Sequence, residues 1–215
     1  MNHLNTRHLL SGFLVLVLAV VLGATFWTRL ETRPRQGVVD NRPLEGLKRF
    51  GTVPDFSLTD QRGQTFKLSD LRGKVWITDF IYTTCKDTCP MQSAEMAKLQ
   101  TVLAGKKHAK LISVSVDPQR DTPQVLSRYA DRFDADPDRW LFLTGEKKNI
   151  YRLVQRGFRL SAVPAKHNNS VVLHSSRFVL VDPRAQIRGY YDSNDHKALR
   201  RLRRDLKTLL REEGK

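Results

Sequence analysis

Cysteine is scarce in this chain of 215 residues: there are two, Cys85 and Cys89. Two residues cannot build a disulfide framework or a four-thiolate zinc site. Aromatic residues make up 8% of the chain, and none is interleaved with the densest run of cations. Acidic residues are outnumbered, 22 against 37 Lys and Arg, for a formal net charge of +15. The sequence also has no internal repeat and no low-complexity tract, which excludes solenoids and long disordered segments. What remains is an ordinary apolar fraction, enough for one globular core with an appendage.

The appendage comes first. Leu9 to Trp27 carries no charge. At about 1.5 Å per residue such a helix approaches the roughly 30 Å needed to cross a bilayer. Leu22-Gly23-Ala24 is a poor cleavage signal, and no cysteine follows that could carry lipid. We therefore expect residues 1–30 to be a retained signal anchor, 31–50 a Pro/Gly/Arg linker, and 51–215 the folded domain. Flanking arginines lie mostly after the apolar run (Arg29, Arg33, Arg35 against Arg7), which taken alone would leave the domain in the cytoplasm.

At the other end, Lys197, Arg200, Arg201, Arg203, Arg204, Lys207 and Arg211 share a stretch with Leu199, Leu202, Leu206, Leu209 and Leu210. That pattern is a terminal amphipathic helix. Its basic face is either simply solvated or attracted to anionic headgroups or an acidic partner. Nucleic acid is not expected as a partner.

Between these ends, periodicity predicts a hairpin around Gln61-Arg62-Gly63, a buried strand over 75–82 and a helix over 90–103. A strand over 110–116 and a Thr122-capped helix to Phe133 come next. Then follow a short strand at 140–143, a helix over 146–156, and strands over 177–181 and 186–191. Alternation in the middle predicts parallel strands with crossovers, and the late pair adds antiparallel ones. The order is that of an α/β thioredoxin-like fold, with an N-terminal hairpin extension, and it places the cysteines at the first strand-to-helix junction.

Cys85 and Cys89 sit four apart in DFIYTTCKDTCP, with Pro90 next. Proline suits the first helical turn, so Cys89 is expected at or near the N-cap and Cys85 on the incoming loop. Free N–H groups and the helix dipole there favour thiolate, so both thiols are expected to be more acidic than a free cysteine, with Lys86 assisting. Two close thiols can hold a soft metal, cycle through a disulfide, or pack inertly. Of six histidines, His3 and His8 belong to the anchor, and neither His108 nor His196 is placed as a ligand. His167 and His174 remain, and His174 precedes a strand of the second motif, on a turn that faces the cysteine loop in a thioredoxin-like sheet. Two sulfurs and one imidazole suit copper better than zinc, which normally takes a fourth protein ligand. Asp79, on the same strand as the approach to the cysteines, is either a buried proton-handling acid or a carboxylate bonded to backbone or Lys74. Asp117 and Asp121 read as turn and cap residues.

The strings DFIYTTCKDTCP, SVDPQRDTP and HSSRFVLVDP, in this order and spacing, resemble the SCO/SenC family over about residues 51–208. That resemblance implies copper as the cofactor, with Cys85, Cys89 and His174 as its ligands. It implies a single-pass inner-membrane protein whose soluble domain lies in the periplasm, against the charge bias noted above. The partners implied are the copper-bearing subunit of cytochrome c oxidase, whose CuA centre the family helps assemble, and other copper chaperones. Leu173 stands where many members have an acid, and Lys86 where proline is common. The resemblance implies a metallochaperone rather than an enzyme. Thiol–disulfide exchange with the oxidase subunit or another periplasmic partner, through the pair Cys85 and Cys89, is the alternative. A peroxidase is a more distant reading. Serines, not proline, follow His174, which favours a ligand over the docking proline of disulfide-exchange members.

Overall fold

The computed structural model describes Leu18, Val21, Leu22 and residues 47–160, 163–167 and 170–212, with 163–167 and 170–174 as backbone only. The chain forms two compact units, Met1–Asn41 and Arg42–Lys215. In the first, Leu18, Val21 and Leu22 are helical and exposed. The rest of the expected anchor lies outside the described residues. Among the described residues no helix is long and apolar enough to cross a membrane.

The second unit is built on an eight-stranded mixed sheet. Its elements in chain order are β1 (Gly51–Thr52), β2 (Ser57–Asp60), β3 (Thr65–Lys67), a 3-10 turn (Leu68–Leu71), β4 (Val75–Ile81), α1 (Thr88–Val102), β5 (Ala109–Ser115), α2 (Pro123–Asp131), β6 (Trp140–Thr144) and α3 (Lys147–Arg152). A π-turn (Leu153–Gly157) extends α3. Then come β7 (Val163–His167), β8 (Ser170–His174), β9 (Arg177–Val181), β10 (Gln186–Asp192) and α4 (His196–Glu212). The sheet order is β1-β10-β9-β4-β5-β6-β2-β3, and β7-β8 form a separate antiparallel hairpin.

β4, β5 and β6 are parallel, joined through α1 and α2, as alternation of strand and helix requires. β4 is central, and all seven of its residues are buried, which is why its sequence is β-rich and nearly unbroken in hydrophobicity. The expected hairpin β2-β3 extends one edge beside β6, and β9 and β10 add antiparallel strands on the other side of β4. This mixed α/β arrangement is of the thioredoxin-like kind. Thr122 caps α2, its hydroxyl accepting from Val125 N at 3.4 Å, with Pro123 opening the helix.

Three features differ from the sequence reading. β1 pairs with β10, and Arg188 donates to the carbonyls of Leu47 and Lys48, so the folded region takes in residues before Gly51. Residues 163–174, which carried no element in the reading, form β7 and β8. Asn168-Asn169 between them is the turn-forming signal that could have revealed the hairpin; Pro164 obscured it. α1 starts at Thr88, two residues earlier than Pro90.

Candidate metal centre

The two cysteines lie where β4 gives way to α1. The chain leaves β4, and Cys85 N–H closes a turn onto the Tyr82 carbonyl at 3.1 Å. Asp121 secures this loop from the start of α2. Its carboxylate accepts from Thr83 N (3.1 Å), Thr83 Oγ1 (2.5 Å) and Ser115 Oγ (2.5 Å). Sequence reasoning gave Asp121 a turn or cap role and missed this one, because Thr83 and Asp121 are 38 positions apart.

Asp87 is the N-cap of α1, with no side-chain cap bond. Thr88 and Cys89 follow, so Cys89 is inside the first turn rather than at the cap. Pro90 takes the third helical position, where a missing N–H costs nothing. The helix end is capped instead by sulfur: Cys89 N–H donates to Cys85 Sγ at 3.4 Å. The helix therefore favours charge on Cys85, in the loop, and not on Cys89.

Burial decides the rest. Both thiols are reduced and buried, Cys85 8% and Cys89 1% exposed. Desolvation pushes Cys85 up, but hydrogen bonds from the Cys89 and Asp87 N–H groups and from the Cys89 and Tyr82 side chains outweigh it, and its pKa falls below the usual value. Cys89 goes the other way. Desolvation drives its thiol far up, and the nearby Cys85 and Asp79 charges add to the rise. The expectation of two acidic thiols thus holds for Cys85 and fails for Cys89. Lys86 is exposed, and the hydrogen bonds do the work assigned to it.

Asp79 is completely buried on β4 and unconnected to Lys74. Its register partner on β5 is Ser113, whose hydroxyl donates to Oδ1 at 2.6 Å and in turn accepts from Trp140 Nε1 at 2.9 Å. Oδ2 has no hydrogen-bond partner among the described residues. Desolvation raises the carboxyl to about 7, against the lowering effect of Ser113.

His174 is the last residue of β8, opposite Val163 in the register, rather than on a bare turn before β9. His167 ends β7 across the same hairpin, opposite Ser170. Their side chains lie outside the described residues. The backbone just beyond His174 is fixed, however. Gln92, fully buried on α1 one turn after Cys89, donates to the Ser175 carbonyl at 3.2 Å. Ser176 accepts from Ser193 N at 2.7 Å, which ties the same turn to the β10–α4 loop. The helix that begins at the cysteines is thus bonded to the residue that follows His174. Gln92 was not singled out from the sequence, where it reads as an ordinary polar helix residue.

A thioredoxin-like sheet with a reduced dithiol at its first strand-to-helix junction, and a histidine-bearing hairpin ending beside that helix, defines a class of thiol-dependent metal-binding or redox domains. The SCO1/SenC family model matches residues 45–211, and the chain belongs to that family. It is 34% identical over 137 residues to the SCO1 protein homolog of Bacillus subtilis, covering 63% of this chain and 70% of that protein. BsSco, described as a disulfide-switching member of the Sco family of cytochrome c oxidase assembly proteins, aligns with a TM-score of 0.66 and 32% identity. That match covers 78% of this chain and 96% of that one. ScoI of Bradyrhizobium japonicum, solved with copper bound, aligns with a TM-score of 0.61 and 28% identity, over 74% of this chain and 99% of that one.

Proposed function

We propose that this protein carries copper for the assembly of the CuA centre of cytochrome c oxidase, holding the ion on Cys85, Cys89 and His174. In this reading Leu9–Trp27 tethers it to the inner membrane with the folded unit in the periplasm. The observation that carries the reading is the hydrogen bond from Gln92 to Ser175, which brings the strand end at His174 against the helix of the two thiols. Among the described residues no cluster of three or more His, Cys, Asp or Glu could hold a metal. A third donor in this reading is His174, at the strand end that the Gln92–Ser175 bond holds beside α1. Two thiolates and an imidazole form a soft set that suits Cu(I). The donors are deprotonated as the ion enters, so Cys85 is the first contact and Cys89 yields its proton only on binding. Family membership, and relatives described as copper-bound or as oxidase assembly proteins, support the same cargo and recipient.

The test is reconstitution of the reduced protein with copper, wild type against His174→Ala. The variant should retain copper more than ~100-fold less tightly, beyond the 10–100-fold typical of an outer-shell partner. It should still form the Cys85–Cys89 disulfide. Unchanged stoichiometry and absorption spectrum would remove His174 from the ligand set.

The unequal acidity of the thiols favours a second activity. Cys85, lowered, can attack a partner disulfide, and Cys89, one helical turn away, can resolve the mixed disulfide. Reduction of recipient cysteines before copper transfer would use the same pair.

A further inference from the structure

α4 buries Ala198, Leu199, Leu202, Asp205, Leu206 and Leu209. Its outer face is another matter. Lys197, Arg200, Arg204, Lys207 and Arg211 are all exposed. They are spaced three, four, three and four apart, so they form one straight row along the helix, about 21 Å long at 1.5 Å per residue. The acids near the helix are mostly engaged elsewhere. Glu95 of α1 pairs with Arg203 at 2.9 Å, and Asp195 lies 3.9 Å from Arg201. Asp205 is buried under Tyr191 Oη and reaches only Arg204, at 3.3 Å. Glu212 stands at the far end. Among the described residues, the side chains of Lys197, Arg200, Lys207 and Arg211 make no ion pair.

Two observations say what this row fits. First, it holds no apolar anchor: none of the exposed large hydrophobic residues lies on α4. Stable protein interfaces are centred on buried aromatic or aliphatic residues. A bilayer of anionic headgroups needs only cations along a flat line. Second, the row starts at the metal-site end. β10 is antiparallel to β9, and β9 to β4, so β10 runs alongside β4 in the same direction. α1 and α4 follow these two strands and therefore begin at the same end of the sheet. The Ser193–Ser176 bond ties the start of α4 to the turn after His174.

We propose that the outer face of α4 is a docking surface for anionic lipid headgroups. Bound this way, the folded unit lies with the sheet face that α4 covers turned toward the membrane, and the cysteine end sits at the rim, open along the surface toward a membrane-embedded recipient.

Residues 42–215 form one compact unit around their own core and can be tested alone. They should co-sediment with vesicles of phosphatidylcholine and phosphatidylglycerol at low ionic strength, but not with phosphatidylcholine alone, and salt should weaken the binding. K197Q/R200Q/K207Q/R211Q should bind at least ~100-fold more weakly, from about fivefold per cation. K67Q/K106Q/K107Q/K148Q removes the same charge from other exposed positions and should keep wild-type binding. Wild-type protein that ignores anionic vesicles overturns the proposal, as do equal losses in the two variants. If instead the α4 variant alone loses affinity for an acidic copper-bearing oxidase fragment, the face is a protein interface and the lipid assignment fails. Copper retention should be the same in both variants, so this outcome is independent of the ligand assignment above.

Discussion

Cys85 and Cys89 have the same side chain and nearly the same address, yet burial and hydrogen bonding separate them. Cys85 Sγ receives the helix-end N–H groups, and Cys89 sits among apolar neighbours with a buried carboxyl in electrostatic range. Alkylation with iodoacetamide below pH 8.5 should therefore label Cys85 first. Mass mapping that finds Cys89 modified at an equal rate would contradict this. Asp79 gives a second expectation. Its folded pKa, about 7, lies well above the 3.8 of a free aspartate. Stability from its protonated form is then complete below about pH 4 and is lost as pH rises through 7. Asp79→Asn keeps an acceptor for Ser113 and removes the titration. It should raise the urea midpoint at pH 8, reflecting a stability gain of up to about 4 kcal/mol from three pKa units, and lose that advantage at pH 4. A midpoint gap that does not change with pH would show that Asp79 does not titrate in this range.

Among elements, α1 does most to organise the site. Its first turn carries Cys89, and its second carries Gln92, the link to the turn after His174. Gln92→Ala should cost little stability, about 0.5–1.5 kcal/mol for one hydrogen bond, because its Oε1 has no partner among the described residues. Copper retention should fall by more than stability does, since the hairpin that bears His174 loses its bond to α1. Equal retention in the variant, measured with copper chelators of graded strength, would show that another contact holds the hairpin. The β7-β8 hairpin is the element the sequence hid best. Among the described residues its strands pair with each other and not with the main sheet, and Pro164 breaks the strand signal of the first. The parallel strands were plain to read, because burial on both faces demands continuous apolar runs.

At the scale of the molecule, the folded unit begins before the first predicted strand. Phe50 N–H donates to Ile187 O at 2.9 Å, and Arg188 holds the carbonyls of Leu47 and Lys48 while paired with Asp182 at 3.1 Å. A chain starting at Arg42 should therefore unfold cooperatively, and one starting at Gly51 should be less stable by about 1–3 kcal/mol, from a few lost hydrogen bonds. Equal melting temperatures would mean that these contacts contribute nothing net. Arg, Pro, Gly and Asn over 31–50 read as a linker, and composition cannot show that a distant arginine holds the backbone.

The order of elements from β4 to α3, the dithiol at the first junction and the amphipathic last helix were set by local pattern, because periodicity, proline and chain order act over short stretches. Tertiary structure alone decided which thiol is acidic, that Asp121 anchors the cysteine loop, that Gln92 reaches Ser175, and that the cationic row starts at the cysteine end. Each depends on groups far apart in the chain meeting where water is excluded, and desolvation and hydrogen-bond direction exist only once the sheet has brought them together.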